Sequence, residues 1–443
     1  MDYRECLDYL ASLGHELRGV VFTLGPITRI LNCLGNPHLG YATAVVAGTN
    51  GKGSTSAMLA SIMEAAGYRT GLYTSPHLVR VNERFRVCGA EIGDEDFAQS
   101  FTEVRAAVDR LVEQGSLHPK PSFFEFLTAT AFLHFARCGV QLAVLEVGMG
   151  GRLDATNVTL PKVVVITNID LDHTEFLGTT HSAIAAEKAG VIKPGCTVVS
   201  AVDNADAAAV IRRRCAEVGA RLIETGRYAK VLGLRSSHGL YTFDFALNGD
   251  YFPQLTSPLR GRFQISNTVA AVTAATVLAK EGFEVPPGAI AEGLRQATWS
   301  GRLEVVAESP LVVMDGAHNP AAAREIAAFA REHWAGKRLR LVYASMRDKA
   351  IREIGQILFP LAEEVYLTRP DQPRAASPEE ILAAGQSVPT RFLIQPEPAA
   401  ALLEAWRASS PDDVILVAGS LFLVGAIKKA QQEGSLKLGL RVG

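Results

Sequence analysis

The chain has 443 residues, 48% hydrophobic and 20% charged, with a formal net charge of -2. That length and composition exclude a disordered chain and predict two or three globular domains. The near-neutral balance excludes recruitment to nucleic acid or membrane by bulk charge, so any anionic ligand must be gripped locally. Six cysteines without a Cys-x-x-Cys pair suit reduced thiols in a cytoplasmic protein better than a disulfide frame or a zinc site. The N-terminus has no apolar signal core. The longest apolar run, 414–427, contains Ser420 and is too short to span a bilayer.

Before position 45 the spacing predicts short helices, one carrying Leu7, Leu10 and Leu13 and another over 27–34. Then comes Val45-Val46-Ala47-Gly48-Thr49-Asn50-Gly51-Lys52-Gly53-Ser54-Thr55, an apolar strand running into a glycine-rich turn and a helix. The glycines let backbone N–H groups converge on an anion, Lys52 adds a mobile positive charge, and Ser54 and Thr55 place hydroxyls where the helix dipole favours phosphate. The stretch departs from a Walker loop, because Gly53 separates Lys52 from the hydroxyl and Val46 replaces the first glycine. A plain strand–turn–helix corner also uses glycine, but it does not need the lysine or the hydroxyls.

The helix over 54–66 stops at Gly67, and a strand over 70–73 ends in Thr74-Ser75-Pro76-His77-Leu78, which leaves Ser75 at the carboxyl edge of a parallel sheet. Residues 79–92 read as a charged loop or hairpin and 94–112 as a helix. Ser122-Phe123-Phe124-Glu125 has capping-box spacing and opens a helix through Phe135; capping accounts for Ser122 and Glu125 completely, while the paired phenylalanines could also line a slot for a flat ring. Glu146, inside an apolar strand, must meet a cation, either a side chain or a metal. A strand over 163–167 leads to Asn168-Ile169-Asp170-Leu171-Asp172-His173, where His173 is either a ligand or an ordinary loop histidine. Lys188 is either a solvated helix lysine or part of the site.

Alternation continues to about 225, a hairpin turns near 237–239, and Ser266-Asn267 opens an alanine-rich helix to Lys280. Trp299-Ser300-Gly301-Arg302 reads as a hinge. Beyond it, strands near 311–314, 338–343, 364–368, 390–394 and 413–418 predict a second sheet. Its first strand ends in Met314-Asp315-Gly316-Ala317-His318-Asn319-Pro320, with Asn319 read as a helix cap. The fold class is therefore α/β: a P-loop mononucleotide-binding parallel-sheet domain over 1–297 and a smaller, Rossmann-like doubly wound domain over 298–443.

The Gly48–Ser54 loop resembles the ATP loop of the Mur ligase superfamily. The rest of the chain resembles its folylpolyglutamate synthase and dihydrofolate synthase branch, through Leu34-Gly35-Asn36-Pro37, 74–78, 146–157, Asp172-His173, Glu187-Lys188-Ala189-Gly190, Gly301-Arg302, 315–320 and Gly419-Ser420-Leu421. The resemblance implies an ATP-dependent ligase that adds L-glutamate to folates and to dihydropteroate through an acyl phosphate, working as a monomer on small molecules. It implies that Gly48, Thr49, Asn50, Gly51, Lys52, Gly53 and Ser54 wrap the phosphates of ATP, with Asn267, Arg302 and Asp315 completing that site and His318 near the phosphates. It further implies two Mg²⁺ ions, one on Ser75 and Glu146 and one on Glu146, His173 and a Lys188 carbamylated by CO₂. Ser122, Phe123, Phe124, Glu125 and Leu153 resemble positions that touch the pteridine-bearing substrate.

Two departures accompany the likeness. Ala350 follows Asp348-Lys349 where a second acid is expected, and Phe22-Thr23-Leu24-Gly25-Pro26 differs from the acidic segment associated with bifunctional bacterial members. Two rivals are weaker. A muramyl ligase would need a UDP-sugar domain that the residues before Val45 do not build. In a P-loop switch, Thr167-Asn168-Ile169-Asp170 lacks the lysine of a guanine-reading motif and the second domain has no task.

Overall fold

The first sheet grows from short, β-branched strands that are apolar on both faces, the pattern of a parallel sheet covered by helices on each side. The computed structural model describes residues 1–14, 23–117, 120–386 and 388–438; Phe22 lies outside them, and Gly25-Pro26 starts the helix Gly25–Cys33. β1 (Ala42–Ala47), β2 (Thr70–Tyr73), β3 (Phe85–Val87), β4 (Ala90–Glu91), β5 (Leu142–Glu146), β6 (Val163–Ile166), β7 (Thr197–Ser200) and β8 (Arg221–Glu224) form one sheet in the order β4-β3-β2-β5-β1-β6-β7-β8. Only β3 runs against the others, pairing antiparallel with β2 on one side and with the edge strand β4 on the other.

Alternate residues of β1 serve opposite cores. Val45 and Ala47 pack under the helices Asp94–Glu113, Phe123–Arg137 and His181–Ala189, whereas Ala44 and Val46 pack under Lys52–Ala65, Phe263–Lys280 and Pro287–Gln296. Because β1 lies between β5 and β6, the loop that follows it opens at the point where the chain's winding direction reverses, the standard ligand crevice of an open α/β sheet.

β9 (Lys230–Ser237) and β10 (Leu240–Leu247) form the expected hairpin, and a third strand, β11 (Asp250–Thr256), joins β10 on its other side. Pro253 hides β11 from a sequence reading; it is tolerated because β11 is an edge strand. The inner residues Tyr241, Phe243, Phe245 and Leu247 close the second core. The alanine-rich helix begins at Phe263 rather than at Ser266, so Asn267 sits inside its second turn instead of at its mouth. That helix is apolar nearly all round because it is buried, with Ala270, Ala271 and Ala274 fully inaccessible.

After the helix Pro287–Gln296 the chain crosses to a second sheet: β12 (Glu304–Glu308), β13 (Leu311–Met314), β14 (Leu339–Tyr343), β15 (Glu364–Leu367), β16 (Arg391–Ile394) and β17 (Val414–Ala418), in the order β12-β13-β17-β14-β15-β16. Only β12 is antiparallel, an edge strand outside the predicted set. The loops after β13, β14 and β17 leave the carboxyl edge of this sheet and meet those of the first across a cleft. Among the described residues no helix is long and apolar enough to cross a membrane.

Candidate active site

The phosphate loop is shaped by neighbours far away in sequence. At Gly51 φ is +80°, and a Cβ would stand 2.3 Å from Asn267 Oδ1; at Gly53 a Cβ would stand 2.7 Å from the Trp299 indole nitrogen. The intrusion of Trp299 explains why glycine separates Lys52 from Ser54. The loop is pinned to the strand beside it: Asn50 N donates to Asn168 Oδ1 at 2.7 Å, Thr167 Oγ1 to the Asn50 carbonyl at 2.6 Å, and Thr49 Oγ1 to the Asp170 carbonyl at 3.1 Å. Lys52 Nζ donates to the Thr49 carbonyl at 3.1 Å. Burial depresses its pKa, opposed mainly by Glu146.

Glu146 ends β5 directly behind this loop and is 5% exposed. Its one hydrogen bond comes from Ser75 N at 3.2 Å, and among the described residues no cation lies within ion-pair distance. Burial pushes its pKa up, against the pull of Lys52. Of the two sequence alternatives, side-chain pairing is thus not realised. Asp154 is a buried organiser that sequence reasoning missed: it accepts from Gly148 N and Met149 N, each at 3.0 Å, and from Thr156 Oγ1 at 2.6 Å, which fixes the glycine loop after β5. Its signal was its place in the Gly148–Asn157 run.

Lys188 is not a solvated helix lysine. It is 4% exposed, its Nζ donates to the Gly48 carbonyl at 2.7 Å, and burial, reinforced by Lys52, lowers its pKa to about 7. His173 takes a left-handed conformation with φ 49°, and burial lowers its pKa to about 4, leaving a neutral imidazole. Ser75, Glu146, His173 and Lys188 all line the same cavity as the phosphate loop, about 440 Å³ in volume, and so do Asn267, Arg302, Asp315 and His318. Among the described residues no group of three His, Cys, Asp or Glu side chains gathers to cage an ion.

From the second sheet, Asp315 accepts from Leu303 N at 2.8 Å and Ala317 N at 2.7 Å, bracing the turn that presents Arg302 and His318. His318 Nδ1 donates to the Gly316 carbonyl at 2.8 Å, a pairing that assigns the proton to Nδ1 and leaves Nε2 as an acceptor. Burial lowers its pKa to about 4. Asn319 caps its helix, accepting from Ala322 N at 2.9 Å, and also bridges the lobes: its Nδ2 donates to Asn50 Oδ1 at 2.9 Å and Asp172 Oδ2 at 3.1 Å.

Asp172 is the convergence point. Lys349 Nζ lies 2.7 Å from it with both side chains 10% exposed, and His318 Nε2 approaches to 3.7 Å. Burial raises its carboxyl pKa, but the attraction of the groups around it outweighs burial and holds the carboxyl well below the usual range, with Lys349 the partner that carries charge at neutral pH. The Asp348-Lys349 loop therefore does bind the lobes together, although Ala350 leaves the helix Ile351–Leu358 without a side-chain cap.

A folded-state pKa below the unfolded value of 3.8 means that the Asp172 contact is fully present above about pH 4 and is lost as pH falls through the folded value. Removing one partner of a buried pair also strands the other. A Lys349→Met and Asp172→Asn double-mutant cycle by denaturant unfolding should accordingly show a coupling of about 1–3 kcal/mol at neutral pH. Additive effects would contradict the latch.

A second cavity of about 200 Å³ adjoins the first. The first lobe contributes Ser122, Phe124, Glu125, Leu153 and Thr23, and the second contributes Lys349, Arg374 and Phe422. The capping box is present, with Glu125 N donating to Ser122 Oγ at 3.2 Å and Ser122 N to Glu125 Oε2 at 2.8 Å; the other carboxylate oxygen, Oε1, is buried without a hydrogen bond. Phe123 corrects the sequence reading. Its ring lies under the Arg84 guanidinium, 5.4 Å away, and does not line the cavity; only Phe124 does. Successive helical residues point about 100° apart, so one ring of the pair must face elsewhere. Ser75, His173 and His318 line both cavities.

Two lobes that close on a triphosphate cavity and an adjoining slot define a Mur-type ligase, a class that uses ATP to join an acid to an amino acid. The Mur ligase middle domain matches residues 46–275, and the Mur ligase glutamate ligase domain matches residues 301–421. The chain is 32% identical to the dihydrofolate synthase/folylpolyglutamate synthase of Bacillus subtilis, covering 93% of this chain and 95% of that one. It is 34% identical to the folylpolyglutamate synthase of Lacticaseibacillus casei, covering 97% and 98%. The E. coli FolC solved in complex with DHPP and ADP superposes with a TM-score of 0.87 at 30% identity, over 98% of this chain and 99% of that one. The chain belongs to the folylpolyglutamate/dihydrofolate synthase family and is an ATP-dependent ligase.

Proposed function

We propose that residues 1–297 bind ATP and activate the carboxylate of a folate or dihydropteroate, and that residues 298–443 bring L-glutamate to it. The observation that supports this most directly is the junction of the two cavities at Ser75, His173 and His318, where the end of a triphosphate and a carboxylate can meet. A flat pteridine ring fits against Phe124 in the slot that Ser122 and Glu125 also line. The carboxylate at the far end of the benzoate or glutamyl tail attached to that ring then reaches the junction.

The site also suits magnesium, which typically takes one or two carboxylates and completes its shell with phosphates and water. Glu146, buried and without a cation partner, and the Ser75 hydroxyl fit a first ion; Glu146, the neutral His173 and Lys188 fit a second if CO₂ converts the buried amine into a carbamate. Bound there, the ions neutralise phosphate charge that would repel the incoming carboxylate.

Lys52 and Arg302 screen the γ-phosphate while the carboxylate oxygen attacks it. The acyl phosphate that forms has a good leaving group, and ADP is released from the transfer. The amine of glutamate, its ammonium proton already given up to solvent, attacks the acyl carbon, and phosphate departs from the tetrahedral intermediate carrying the second amine proton away as hydrogen phosphate. His318 Nε2, neutral and lining both cavities, accepts a hydrogen bond from that amine. The Asp172 latch holds the lobes together so that water does not intercept the acyl phosphate.

The testing experiment offers ATP, Mg²⁺ and L-glutamate with either dihydropteroate or tetrahydrofolate, and identifies products by mass. Products carrying one more glutamyl unit on both acceptors support addition of both first and later glutamates. Product on neither acceptor would overturn the reading.

A further inference from the structure

Behind the junction lies a third chamber, of about 160 Å³, that the reaction described above leaves unused. It shares Ser75, Glu146 and Arg302 with the triphosphate cavity, and beyond them its walls are Thr74, Arg86 and Trp299. Its chemistry is that of an anion site. Arg86 gives one nitrogen to Glu91 at 3.0 Å and stacks on Trp299 at 5.7 Å, yet its Nε is buried without a hydrogen-bond partner. Arg302 donates to the Gly301 carbonyl at 3.1 Å and, among the described residues, forms no ion pair. The Trp299 indole N–H makes no hydrogen bond among them either. The acids on these walls do not pair with the arginines: Glu83 is consumed by the backbone N–H groups of Leu78, Val79 and Arg80, each at 2.7 Å, and Glu146 takes its hydrogen bond from Ser75 N and, among the described residues, forms no ion pair with either arginine.

Building on the proposed function, we infer that this chamber receives the inorganic phosphate expelled when the amine displaces it from the acyl phosphate, and conducts it out past Arg86. While ADP fills the long cavity and the new amide fills the slot, the wall made by Ser75, Glu146 and Arg302 is the face left open to the departing phosphate. A doubly charged oxyanion suits a passage of surplus N–H donors, whereas an apolar product does not. No bond is made or broken in this step; phosphate moves from the junction to the chamber and then to solvent.

The test uses the full chain with inorganic phosphate as the probe, both as a product inhibitor of ligation and by direct calorimetric titration into protein loaded with MgADP. Arg86→Gln should weaken phosphate binding about tenfold in both measurements, the effect of one lost hydrogen bond to a charged group. It should move the KM for ATP less than about twofold, because Arg86 does not line the triphosphate cavity. Arg86→Lys should restore much of the affinity by restoring the charge. An unchanged phosphate affinity in Arg86→Gln, or a parallel rise in the ATP KM, would overturn the inference, as would a wild-type chain that phosphate neither inhibits nor binds. The calorimetric arm keeps the two readings separate: absent ligation with Arg86-dependent phosphate binding defeats the ligase reading alone.

Discussion

Replacing Lys52 with alanine should lower kcat/KM for ATP-dependent ligation at least about a thousandfold, or about 4 kcal/mol of transition-state stabilisation, and leave folding intact. Both halves follow from the geometry. Without nucleotide the lysine makes a single hydrogen bond, to the Thr49 carbonyl at 3.1 Å, and burial already works against its charge. Its removal takes no hydrogen bond from another side chain, although Glu146 loses the charge that opposes its burial, and the thermal midpoint should move by no more than about a few degrees. During phosphoryl transfer the same charge lies beside Glu146 and Arg302, at the one place where a carboxylate must approach a polyanion. Phosphate release and a melting scan on the same preparation check both halves. Turnover within about tenfold of the parent would contradict the role.

Lys188 carries the second large effect. Its amine, with a pKa lowered from 10.5 to about 7, is mainly neutral above that pH, and only the neutral amine reacts with CO₂. Ligation should therefore rise between about pH 6 and 8 and fall in buffer stripped of CO₂. Lys188→Ala should lose about a hundredfold or more in kcat, and formate or acetate should recover part of it by placing a carboxylate in the vacated space. Lys188→Arg should not respond to bicarbonate, since its guanidinium stays protonated. A carbamate resonance in protein equilibrated with ¹³C-bicarbonate gives a direct reading. Full activity in Lys188→Ala, or a pH profile indifferent to CO₂, would defeat the proposal.

What could be read in the chain was local. The phosphate loop, the apolar parallel strands and the Ser122 capping box each declare themselves within a dozen residues, because turn chemistry and period-two burial act over that range. The polar groups after the first-sheet strands were legible for the same reason. What stayed hidden depends on contacts between distant segments. Nothing near Asp172 announces that Lys349 and His318 will converge on it from the other lobe, and nothing near Gly53 announces Trp299. Phe123 and Phe124 look interchangeable in sequence, yet the helix turns one toward Arg84 and the other into the slot. Asn267 looks like a helix opener because Ser-Asn is capping chemistry; Gln264, buried beside Ser54 of the first lobe, and Phe263, packed against the core of the second, extend the helix upstream. Lys188 was ambiguous for an electrostatic reason, since only burial separates a surface lysine from one whose amine is neutral near pH 7.

The account rests on phosphorylation of an acid before an amine captures it. Ligation of an acceptor labelled with ¹⁸O in its reacting carboxylate, with phosphate and product analysed by mass, tests this most directly. One labelled oxygen should appear in the phosphate for each glutamyl unit added, with the other retained in the new amide. Unlabelled phosphate alongside the amide product would show that the carboxylate never attacked ATP, and would contradict the mechanism.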